Sequence, residues 1–124
     1  MRSKKRGPKR NVRSEAYIRK LERRRELHKL AAVKEEHRAR VLMSRFGLTV
    51  DAYDAMVNVQ GGVCAICREQ CASGMRLSVD HDHMTGEVRG LLCKICNVAI
   101  GHLKDDPELL RRAAEYLERR RRAS

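Results

Sequence analysis

Four of the five cysteines in this 124-residue sequence fall at one repeated spacing, Cys64-x-x-Cys67 and Cys93-x-x-Cys96, with 25 residues between the pairs. Two such knuckles can set four thiolates at the corners of a tetrahedron, the arrangement that a structural Zn2+ takes. The insert contains Asp80-His81-Asp82-His83, and Asn97 directly follows the last of the four cysteines. A metal tying the knuckles together would draw the ends of the insert towards each other. Two carboxylates, two imidazoles and a carboxamide can then meet. That set suits phosphodiester hydrolysis, with hard oxygen donors for Mg2+ and a histidine titrating near neutral pH to activate water. Blander readings stand beside it: a polar turn, a helix cap for Asn97, or His81 and His83 replacing one cysteine pair on zinc. A regular strand would also point Asp80 and His81 to opposite faces, so a single site demands irregular backbone there. Cys71 lies outside the pairs and is expected to be a non-ligand. A four-thiolate zinc has no open position, so any chemistry must use other groups.

The elements that must position these residues follow from composition. The chain carries 28 Lys and Arg against 16 Asp and Glu, net +12, with no Trp and one Phe. Residues 1–40 hold 16 basic and 5 acidic residues, net +11; residues 41–110 are net −3; residues 111–124 are net +4. Two cationic ends around a cysteine-rich centre point to a polyanion, nucleic acid before an anionic membrane. No apolar run is long enough for a membrane span. The basic first ten residues are followed by no apolar segment of the kind a secretion signal needs, which favours metal over disulfides for the cysteines. Residues 1–14 should be disordered when free. Glu15 to about Arg45 reads as a long, exposed basic helix, its apolar positions too sparse to favour the alternative of a coiled coil. Gly47 should end it, and Thr49 should cap a short helix with Tyr53, Met56 and Val57 on one face. Strands are expected over Arg76–His81 and Glu87–Leu92, joined at Thr85-Gly86. A helix should run from near Cys96 to Lys104, and another should start at Asp106-Pro107, with Leu110, Ala113, Ala114 and Leu117 in a stripe. The compact part, residues 46–118, sits near the ~70–80 residues below which a core usually needs a staple.

From Cys64-Ala-Ile-Cys67 through Leu77-Ser-Val-Asp-His-Asp-His-Met-Thr-Gly-Glu-Val-Arg-Gly-Leu-Leu-Cys93 to Cys96-Asn97, the sequence closely resembles the phage recombination endonuclease VII family, a branch of the HNH (ββα-metal) nucleases. The resemblance extends to Phe46-Gly-Leu-Thr49 and Gly61-Gly62 upstream, and to Gly101, Asp105-Asp106-Pro107 and Tyr116-Leu117 downstream. It implies an α+β fold: a small zinc-stapled ββα-metal core over residues 46–118, a basic arm and helix over 1–45, a C-terminal helix, and a basic tail over 119–124. It implies structural Zn2+ on Cys64, Cys67, Cys93 and Cys96. It makes His81 the general base, assigns Asp80 and Asn97 to a catalytic Mg2+ or Mn2+, and gives His83 a supporting role beside the phosphate. Arg89 has no fixed family role; by charge it contacts phosphate, or it pairs with Glu87 on the same face. The activity implied is DNA cleavage, at four-way (Holliday) junctions or by nicking during phage DNA processing, in the host cytoplasm. The founding member carries a carboxylate one turn beyond the Asn, where this chain has Ile100, and a long helical region that interlocks two chains. Only 28 residues follow Cys96 here, so that dimer element is not expected and the sequence does not support a homodimer. The competing reading is a non-enzymatic zinc-ribbon DNA-binding protein. It accounts for the cysteines and the basic arms but gives no reason for His81 beside Asp80 together with Asn97.

Overall fold

Glu, Arg, Lys, Leu and Ala dominate the first helix, α1, which spans Val12–Phe46 in a computed structural model that describes residues 12–72 and 74–123. The disorder expected of residues 1–14 falls mostly on 1–11, outside the described residues. Residues 12–14 are already helical, with Glu15 placed in the first turn where the helix dipole favours an anion. From Ser14 to His37 every side chain except Leu21 is exposed, so this stretch rests on helix propensity and on pairs such as Glu26–Lys29 at 3.1 Å. Gly47 stops the helix at φ +64°, its N–H reaching back 3.0 Å to the Met43 carbonyl.

The chain divides into two compact units, residues 1–40 and residues 41–124. In the second, α2 (Val50–Val59) is capped by Thr49, whose Oγ1 accepts from Ala52 N–H at 3.0 Å. Tyr53 is buried, and Met56 and Val57 pack on the core beside it. The antiparallel strands β1 (Ser78–His81) and β2 (Val88–Leu92) follow, then α3 (Lys94–His102) and α4 (Pro107–Arg122). Leu42, Tyr53, Cys64, Leu77, Val79, Leu91, Leu92 and Cys93 form the core. The architecture is α+β, with a two-stranded sheet leading directly into α3.

Both strands are shorter than expected, for a visible reason. The Leu77 carbonyl accepts from the Tyr53 hydroxyl at 2.6 Å, and the Glu87 carbonyl accepts from Asp82 N–H at 2.8 Å. The first bond commits the Leu77 carbonyl to a side chain, and the second closes the hairpin just beyond the strand ends. Helix α3 begins earlier than expected because Cys93 is its N-cap, with Sγ accepting from Cys96 N–H at 3.4 Å. Helix α4 follows expectation: Asp106 caps it, Pro107 opens it, and Glu108–Arg112, Glu115–Arg119 and Glu118–Arg122 pair along it. Its stripe is only half realised, since Leu110 and Ala113 are half-buried while Ala114 and Leu117 are exposed. Among the described residues, no helix is long and apolar enough to cross a membrane.

Candidate active site and metal centre

The first knuckle is shaped by its own backbone. Arg68 adopts a left-handed φ of +63°, its N–H donates to the Cys64 carbonyl at 3.0 Å, and Ile66 N–H points at the Cys64 sulfur at 3.4 Å. The second knuckle is the first turn of α3. Cys64, Cys67, Cys93 and Cys96 place their sulfurs within 4.8 Å of one another, and Cys67 and Cys93 are 3.9 Å apart. A tetrahedral ion with Zn–S of about 2.3 Å requires sulfurs about 3.8 Å apart, so the donor set and its size fit zinc. Burial pushes the Cys64 thiol up, but backbone groups of Cys93, Cys67 and Ile66 outweigh it and bring it down to about 6. Cys96 is pushed up to about 12, first by burial and then by its hydrogen bonds with the other sulfurs. A divalent cation bound here would displace the proton that the raised Cys96 thiol holds. Cys71 stands outside the convergent set, as expected of a non-ligand, and packs against the core.

The ladder beside Asp80 and His81 is irregular, with the extra residue on β2. Asp80 pairs with Gly90 but His81 pairs with Val88, so the register slips between Asp80 and His81 and Arg89 is the extra residue opposite the slip. A bulge of this kind bends the strand and re-aims side chains. Asp80 is buried, 9% exposed, beside buried Val79. Arg89 closes on it from β2: Nε donates to Oδ2 at 2.8 Å and Nη2 donates to Oδ1 at 2.9 Å. Arg89 thus pairs across the sheet with Asp80, not along its own strand with Glu87. Asp80 is the main cause that holds the guanidinium well above its ordinary value.

A chain of contacts continues from there. Arg89 Nη2 lies 3.4 Å from Asp105 Oδ2, and His83 Nε2 lies 3.6 Å from the same oxygen. His83 meets His81 edge to face, with ring centroids 4.7 Å apart, and His81 meets Phe46 at 5.4 Å. Among the described residues the His81 imidazole has ring neighbours and no hydrogen-bond partner, which leaves its nitrogens available to a water. Asn97 lies inside α3, not at its cap, since its N–H donates to the Cys93 carbonyl at 3.0 Å. Helix α3 packs on both strands, and the half-buried Asn97 carboxamide has no hydrogen-bond partner among the described residues. Ile100, one turn further, packs against the core. A buried carboxylate already seating one cation and an unengaged carboxamide are oxygen donors fit for Mg2+ or Mn2+, ions that keep several waters of their own.

Sequence reasoning missed two participants. Asp105 reaches the site because Lys104 and Asp105 both take left-handed φ, +59° and +53°, between α3 and α4. Nothing in composition or periodicity marks that turn. Gln60 is the other: its Nε2 donates to the carbonyls of Val63 and Leu91, and its Oε1 accepts from Leu91 N–H. It serves β2 as a one-residue substitute for a third strand. Asp82 shapes the hairpin tip, where Oδ1 accepts from Met84 and Thr85 N–H at 2.7 and 3.0 Å.

Comparison with known proteins identifies the family. The model of the family described as recombination endonuclease VII matches residues 36–119. The gene 59 protein of Mycobacterium phage D29 is 47% identical over 79 residues, which is 63% of this chain and 48% of that protein. The gene 59 protein of Mycobacterium phage L5 is 47% identical over 77 residues, 61% of this chain and 47% of that protein. The chain therefore spans about half the length of these curated relatives. Among solved structures, the β-β-α-Me type II restriction endonuclease Hpy99I matches with a TM-score of 0.43 and 32% identity, over 58% of this chain and 42% of that one. With the family's model matched from the end of α1 into α4, the chain belongs to the recombination endonuclease VII family.

Proposed function

We propose that this chain is a metal-dependent DNA endonuclease of HNH type that hydrolyses phosphodiester bonds. The observation that carries the reading is the chain of contacts that joins Asp80, through Arg89 and Asp105, to His83 and His81. Family membership supports the same chemistry. Zn2+ on Cys64, Cys67, Cys93 and Cys96 is structural. Asp80 and Asn97 hold Mg2+ or Mn2+, which when bound neutralises charge on the scissile phosphate and the departing 3′ oxygen.

The chain's own residues do the rest. His81, with Phe46 fixing one side of its ring, takes a proton from the attacking water. His83 stands at the rim, its side chain 71% exposed, where it meets the phosphate. Arg89 supplies a further cation within the same cluster. The net +11 of residues 1–40 provides sequence-independent attraction to the DNA backbone. The substrate proposed first is branched DNA such as a four-way junction, with nicking of duplex DNA during phage DNA processing as the alternative. The place of action is the host cytoplasm, in keeping with the phage origin of the relatives.

Incubation of the purified chain with four-way junction and linear duplex DNA, with Mg2+ or with chelator, tests this. Cleavage that needs the divalent ion is expected, with the junction preferred. DNA binding without cleavage of either substrate would favour the zinc-ribbon binder, which the cationic arm alone would serve.

A further inference from the structure

The geometry points to Asp105 as a positioning residue that gives Arg89 a second seat, so that Arg89 can leave Asp80 when a divalent cation arrives. The inference rests on the metal reading of Asp80 proposed above. Both Asp80 oxygens are taken by the Arg89 guanidinium, at 2.8 and 2.9 Å. A divalent cation on that carboxylate would face a fixed positive charge at hydrogen-bond distance, and the repulsion between them must be relieved. The same Nη2 that donates to Asp80 already lies 3.4 Å from Asp105 Oδ2, longer than a settled hydrogen bond. Asp105 is held for this. Its side chain is 18% exposed, and its backbone and that of Lys104 take left-handed φ, which ordinary side chains rarely adopt. The Asp105 N–H is tied to the Ile100 carbonyl at 2.9 Å, fixing the turn to α3. Arg89 itself is the bulged residue of β2, outside the regular ladder, and its side chain is 36% exposed. Arg89 is therefore a built-in competitor for the cation, and Asp105 decides how readily it yields.

The test is a double-mutant cycle read by Mn2+ affinity of the full chain without DNA, using Mn2+ alone as the probe. Asp80→Ala serves as the blank, and zinc content and circular dichroism report the fold. Asn is well tolerated at left-handed φ, so Asp105→Asn keeps the turn. Arg89→Met should tighten Mn2+ binding several-fold. Asp105→Asn should weaken it about fivefold or more in the parent chain, within the coupling seen between contacting residues, and by less than about twofold in the Arg89→Met background. Arg89→Lys, which keeps the charge without the fork, should fall between the parent and Arg89→Met. Equal losses from Asp105→Asn in both backgrounds would show that Asp105 acts by its own charge, which overturns the second-seat role. Unchanged or weaker Mn2+ binding in Arg89→Met would also overturn it. If the parent chain takes up no more Mn2+ than Asp80→Ala, the metal reading and this inference fall together. Mn2+ binding without DNA cleavage would count against the nuclease reading alone.

Discussion

His81 stands between an aromatic ring and a second imidazole, with its nitrogens unengaged among the described residues. A general base in that position should be worth about 10²–10⁴-fold. His81→Ala is expected to lose cleavage by that factor while zinc content and DNA binding stay unchanged, as measured by nicking or junction cleavage beside a binding assay. Asp80→Ala and Asn97→Ala should lose cleavage through weaker hold on the divalent ion, so excess Mn2+ should restore part of it. His83→Ala should cost less than His81→Ala, since its side chain is 71% exposed. Cleavage that survives both His81→Ala and Asn97→Ala would remove the catalytic assignment.

The two-stranded sheet is too small to hold its own shape, and it borrows support from side chains. Gln60 serves both Leu91 backbone groups; in Gln60→Leu the Leu91 carbonyl keeps the Ala65 N–H at 3.1 Å, while the buried Leu91 N–H loses its partner. A loss of about 1–3 kcal/mol is expected in chemical denaturation, with reduced amide protection at Leu91. The hairpin tip behaves differently. The Asp82 carboxyl lies below its ordinary 3.8, because Thr85 and Met84 N–H groups donate to it. A group lowered on folding contributes stability that is full above pH 3.8 and is lost as pH falls through the lowered value. The amide resonances of Met84 and Thr85 should therefore titrate together with a midpoint below 3.8. In Asp82→Asn the same resonances should stay flat.

At the scale of the whole molecule, the proposed zinc and the charge of the arm would do separate work. Among the described residues of 41–124 the core holds eight buried apolar side chains, two of them the cysteines Cys64 and Cys93. Structural zinc in small domains contributes about 10–16 kcal/mol of apparent binding energy. Chelation, or Cys93→Ser, should therefore unfold this unit while the helical signal of residues 12–40 falls less, as circular dichroism and elemental analysis would show. A folded, metal-free Cys93→Ser protein would contradict this. For the arm, about six phosphate contacts would make log K fall with log salt at a slope near −5. Deleting residues 1–40 should flatten that slope and weaken all DNA sequences alike; an unchanged slope would show that the arm does not touch DNA.

Residue type and local spacing were enough to reveal the cysteine quartet, the Thr49 and Asp106 caps, the Gly47 stop and the two strands, because each depends on neighbours within a few positions. That a regular strand sets Asp80 and His81 on opposite faces was also legible, since strand periodicity is a local rule. Which residue breaks the ladder was not, because a register slip belongs to two strands at once and is settled by how β1, β2 and α3 pack together. The partners of Arg89 were not legible for the same reason: of the two readings left open, the Glu87 pair is close in sequence, whereas Asp80 and Asp105 are close only after folding. Asp105 enters through a left-handed turn at Lys104-Asp105 that no local preference favours. Such a conformation persists only where the surrounding structure holds it, and here that structure is the junction of α3 and α4 over the sheet.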